Sequence, residues 1–141
     1  MASPAALRAA RQRACFSEEP PIDFWAVIDE GVLRRRTGGT EVMRAQIEHL
    51  HYMSEQPHAT IQVMPQDEGW HPGTAGSFSI LTFPEKVHSP VAYVESQAGD
   101  MYLEREEDMR RISLTYTHLH AAALSASKSR ELMKKIIKDL A

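Results

Sequence analysis

Thr60 to Phe83, TIQVMPQDEGWHPGTAGSFSILTF, is the stretch on which the fold turns. It reads as two strands joined by a long turn. Thr60 to Met64 alternates around β-branched residues, and Pro65, with no N–H to give to a ladder, stops it. Ser77 to Phe83 alternates again, with Phe78 and Ile80 on one face and Leu81 and Phe83 on the other. Between the strands, Gly69, Pro72, Gly73 and Gly76 are turn residues, whereas Trp70 and His71 are not. A large aromatic in a Gly/Pro loop either closes a core or lines a pocket, and the functional question starts there.

The flanking segments supply helices. Residues 4–16 favour a short Ala- and Arg-rich helix that the proline-rich 17–21 ends. Asp23 to Asp29, DFWAVID, is an apolar run of strand length without clean alternation, which predicts a central strand buried on both faces. Glu30 to Arg36 is a tight connection. Thr40 is placed to cap a helix over 41–56, with Met43, Ile47 and Leu50 as its stripe. Residues 90–95 form a strand, 98–100 a hairpin-like turn and 101–104 a short last strand. Met109, Ile112, Tyr116 and Leu119 mark a helix over 106–123, and Ser125 or Ser127 starts another that runs to Leu140. The expected architecture is α+β: a small, mostly antiparallel sheet with helices packed on it, two of them C-terminal. The expected organisation is an N-terminal helical arm and linker over 1–21 and a single domain over 22–141.

Composition narrows the classes. At 141 residues the chain has room for one domain with a real core. A net charge of −3 gives no electrostatic ground for nucleic-acid binding by this chain alone. One cysteine, Cys15, excludes an internal disulfide framework and a Cys-rich zinc site. No apolar run approaches the ~18 residues of a membrane span, and the first 16 residues lack the core of a secretion signal. The expected location is the cytoplasm, with no membrane partner.

A series of ordered blocks then suggests a family. Val27-Ile28-Asp29-Glu30 and Val32-Leu33-Arg34-Arg35 are followed by Gly38 to Leu50, GGTEVMRAQIEHL. Ile61 to Pro65, Gly69-Trp70-His71-Pro72-Gly73, Phe78, Tyr93-Val94-Glu95-Ser96, Ala122 to Ser125 and Ser129-Arg130-Glu131 complete the set. On these blocks, over roughly residues 8–140, the chain resembles the C-terminal domain of unknown function of actinobacterial XRE-type helix-turn-helix, antitoxin-like regulators. The resemblance implies a domain that senses a ligand or a partner, often a small protein encoded beside it. These residues include no DNA-binding helix-turn-helix, and the apolar helix and Pro-Gly-Leu-Leu-Gln-like turn that usually open the domain are missing before Arg11-Gln12. Operator binding by the family's route is therefore not expected of them.

Candidate chemistry is sparse. His49 and His51, like His118 and His120, are two apart on helices, ~200° around the axis, so neither pair can chelate and no metal is expected. No nucleophile elbow or phosphate cradle is present, and no cofactor is expected. Glu30 and Glu95 each end an apolar strand, where a carboxylate is costly unless paired. Arg34 to Arg36 are at hand for Glu30; the alternative is that Glu30, Glu95 or His71 acts as a general acid or base. Trp25, Met53, Met64, Trp70, His71 and Tyr93 are the candidate lining of an apolar pocket, since Met and aromatic side chains adapt to irregular ligands.

Two functions follow. One is a ligand-sensing or partner-binding domain that takes a hydrophobic small molecule, a small protein or a second copy of itself. The other is a stand-alone, cofactor-independent cyclase or isomerase of natural-product biosynthesis. The first predicts an exposed apolar patch, the second an enclosed cavity reached past Trp70 and His71.

Overall fold

The computed structural model describes residues 1–84 and 88–141. In chain order its elements are helix α1 (Pro4–Phe16), strand β1 (Phe24–Asp29), helices α2 (Glu30–Arg34) and α3 (Thr40–Ser54), strands β2 (Ala59–Met64), β3 (Phe78–Leu81), β4 (Val91–Val94) and β5 (Met101–Leu103), and helices α4 (Glu106–Ala122) and α5 (Ala126–Asp139). This is the expected α+β class with two C-terminal helices. The chain divides into two compact units, Met1–Val63 with Ser125–Ala141, and Met64–Leu124.

In the first unit, α1 starts where Ser3 Oγ accepts the Ala6 N–H at 3.2 Å and Pro4 takes the first turn, a position where its missing donor costs nothing. Strands β1 and β2 pair as a two-stranded sheet. Phe24 N–H donates to His58 O at 2.8 Å, so the residue entering β1 lies beside the residue entering β2. Among the described residues β1 therefore has one strand neighbour, not two, and Trp25 is 52 % exposed. The expected central strand is corrected on this point: the unbroken apolar run of β1 reflects an aromatic surface, with Ile28 as its residue against the core. The segment read as a tight connection after it holds α2, capped by Asp29, whose carboxylate accepts the Gly31 N–H at 2.7 Å.

Helix α3 starts at Thr40, one residue earlier than predicted, so its cap is not Thr40. Gly39, at φ +96°, is the N-cap, and Thr40 is already helical. The core of this unit is Leu33, Met43, Ile47, Val63, Met133 and Ile136, where α3 packs on α5. Ser125 Oγ caps α5 by accepting the Lys128 N–H at 3.2 Å, which decides between the two predicted caps.

In the second unit β3, β4 and β5 form an antiparallel sheet in that order. Ser96 Oγ closes the β4–β5 turn by accepting the Ala98 N–H and donating to Gly99 O. The two strands of the opening stretch thus lie in different sheets, and the long turn between them contains two 3-10 turns, Gln66–Glu68 and Pro72–Ala75. Helix α4 packs on β4 and on the second of these turns. Among the described residues no helix is long and apolar enough to cross a membrane.

Candidate functional site

Register decides what the three-stranded sheet shows on each side. Because side chains alternate, Ile80, Ala92 and Leu103 form one row and Phe78, Val94 and Met101 the next on the same side. Ala92 in the first row is fully buried, and β4 is the strand that α4 packs against. The opposite side carries the row Ser79, Tyr93, Tyr102 and the pair Leu81, Val91, with Glu95 two residues beyond Tyr93. Tyr102 is 67 % and Leu81 47 % exposed, so this side is open.

The Tyr93 and Tyr102 rings are 5.2 Å apart, tilted by 48°, as expected of aromatic residues directly across two strands. Tyr93 also hydrogen-bonds Asp100, in the β4–β5 turn, and this bond is the main reason its hydroxyl holds its proton above the ordinary tyrosine range. Burial adds to the effect, followed by the negative charges of Asp100 and Glu95. Ser77, Phe78, Ser79, Tyr93 and Glu95 line a dimple of about 50 Å³. That is roughly two waters' worth of space, enough to seat one end of a side chain but not a substrate.

The other predicted site residues are distributed as follows. Trp25 and Met53 belong to the first unit, and Met64, Trp70, His71 and Tyr93 to the second. Trp25 donates its indole N–H to Gln62 Oε1 at 2.7 Å. Met64 is fully buried and Met53 half-buried, whereas Trp70 is 80 % exposed. His71 lies over Gly73: a side chain there would place its Cβ 3.0 Å from His71 Nδ1 and 3.1 Å from Leu119 Cδ2. The Gly-Trp-His-Pro-Gly turn therefore has a packing role, seating His71 and α4 against a residue without a side chain, while Trp70 projects outward.

Of the candidate acids, Glu30 is buried at the start of α2, where Arg34 Nε donates to its Oε1 at 2.7 Å. Such an i,i+4 pair ties the first turn together and neutralises the carboxylate. Glu95 is exposed on the open sheet face beside Tyr93. The structure thus brings together Tyr93 and Glu95, and joins to them Tyr102, Leu81 and Asp100, whose part in a site sequence reasoning missed. The signal was available: a turn at 98–100 sets Tyr93 opposite Tyr102, and alternation puts Glu95 on the same side as Tyr93.

Among the described residues no three His, Cys, Asp or Glu side chains are gathered as a metal site requires. His49 Nε2 is engaged by the Gln12 amide at 2.9 Å, and the His120 ring lies against Tyr116. A family model described as a domain of unknown function, DUF5753, matches residues 2–135. No curated protein and no solved structure matches the chain.

Proposed function

The chain belongs to the family of the domain of unknown function DUF5753, and on that premise we propose that it is a partner-binding domain whose docking surface is the open face of the β3–β4–β5 sheet. The observation that carries this reading is the Tyr93–Tyr102 pair, left on the solvent side beside Leu81 and flanked by the carboxylates of Glu95 and Asp100. Exposed aromatic faces next to acids suit a guanidinium or ammonium group, which the ring faces and the carboxylates attract together. The partner is then a small protein that presents a basic segment. The resemblance to the effector half of helix-turn-helix regulators, often encoded beside a small partner, supports the same reading.

A cofactor-independent cyclase would need a closed apolar chamber bordered by Trp70 and His71. A Trp that is 80 % exposed is better suited to a surface contact, and the dimple beside Tyr93 is too small to hold a folding substrate. Binding is therefore favoured over turnover.

Titration of the isotope-labelled protein with an arginine-rich peptide, followed by NMR, tests the proposal. Amide shifts should concentrate at Tyr93, Glu95 and Tyr102 and weaken as salt is raised. Tyr102→Ser should reduce the affinity about tenfold, and the glutamine analogue of the peptide should not bind. Shifts that avoid this face, or a peptide affinity indifferent to Tyr102, would refute it.

A further inference from the structure

A second surface lies in the first unit and is independent of the sheet face. Arg8, Arg11, Gln12 and Cys15 recur at helical spacing along one side of α1, and with Phe16, Ile22 and Phe24 they line a hollow of about 200 Å³. Its shape follows from local contacts. The Ile22 N–H donates to Cys15 O at 3.1 Å, which folds the chain back over the end of α1. Phe16 and Phe24 meet edge to face at 5.7 Å, and Phe16 is backed by the His58 ring at the same distance. The wall is thus apolar: a thiol, two aromatic rings and an isoleucine.

The rim is cationic. Helix α1 contains no acid, and among the described residues neither Arg8 nor Arg11 is ion-paired. Gln12, about one helical turn on from Arg8, is occupied by His49. An apolar hollow with two available guanidinium groups at one edge matches a ligand with a short hydrocarbon body and an anionic head.

We propose that this hollow binds the anion of a medium-chain fatty acid, its carboxylate held by Arg8 and Arg11 and its chain lying against Phe16, Ile22 and Phe24. Size sets the chain length. A cavity of about 150 Å³ takes up benzene, with six carbons, so a hollow of this volume suits on the order of eight. Each further methylene covered should tighten binding about fourfold until the hollow is filled.

Cys15 is the single cysteine of the chain and half-buried in the wall, so it reports occupancy directly. The intact protein is treated with iodoacetamide in the presence of octanoate, octanol or octylammonium, and alkylation is followed by mass spectrometry. Octanoate should slow alkylation about tenfold more effectively than the neutral and cationic chains, because only it satisfies both arginines. Hexanoate, two methylenes shorter, should need about fifteenfold more ligand. The double variant Arg8→Gln, Arg11→Gln alters exposed residues away from the core and should stay folded by circular dichroism, yet lose the preference for octanoate over octanol. Ile22→Asp, at another exposed position, should abolish protection by all three. Equal protection by the three chains, or none by octanoate, overturns the proposal. So does protection that rises with protein concentration in the absence of ligand, which would show a second copy of the chain in the hollow.

Discussion

Ser129 is a polar residue in the core whose hydroxyl accepts the Val63 N–H at 2.9 Å, tying α5 to strand β2 where both are fully buried. Ser129→Ala leaves that N–H buried without this acceptor, and urea unfolding should show a loss of about 1–3 kcal/mol. Gly38 is constrained twice. Its φ of +79° is unfavourable for any residue with a side chain, and a Cβ would fall 2.9 Å from Val42 Cγ1. Gly38→Ala should destabilise by about 1–2 kcal/mol, measured in the same way. Tyr93 allows a spectroscopic prediction. Its hydroxyl pKa is raised in the folded protein, first by the Asp100 bond, so the stabilisation is complete below the unfolded value of about 10 and is lost as pH climbs through the folded value. In Asp100→Asn, tyrosinate absorbance should appear at lower pH than in the parent, with a difference of one tyrosine.

At the scale of elements, α5 shows how much a periodic pattern conveys. Leu132, Ile136 and Leu140 recur at i, i+4 and i+8, and all three belong to the core or pack against it, along with Met133 and Ile137. Ile136→Ala should cost about 2–5 kcal/mol, whereas Val42→Ala, at an exposed position on α3, should change stability by less than about 0.5 kcal/mol. The longer helices were readable because three-four spacing is local, whereas the five-residue α2 is too short to show it. Strand neighbours are not local, and for that reason β1 was expected at the centre of a sheet it only half builds. The candidate site divides in the same way. Alternation along β4 places Tyr93 and Glu95 on one side, but what occupies the far side of that strand depends on where α4 packs. The Gly-Trp-His-Pro-Gly turn shows the same dependence on non-local packing. His71 is the residue packed against Gly73, and Trp70 points away.

On the scale of the molecule, the first unit is assembled from both ends of the chain, Met1–Val63 and Ser125–Ala141, and the second is continuous from Met64 to Leu124. Met133 and Ile136 reach their packing partners Leu33, Met43 and Ile47 only across that intervening stretch, which makes the closing contacts of the first unit the most distant in sequence. Native-state hydrogen exchange should therefore show α3, β2 and α5 opening together as one cooperative block, and Ile136→Ala should speed exchange throughout that block. During synthesis the order of events follows from the same arrangement. The ribosome releases β1, α2 and α3 early, but their core has no lid until α5 has cleared the exit tunnel. Until then the nascent chain carries an uncovered hydrophobic groove that the inserted segment, complete and contiguous, has no such reason to share. A holdase chaperone should engage the growing polypeptide at Met43 and Ile47, and let go once α5 has emerged and packed on α3.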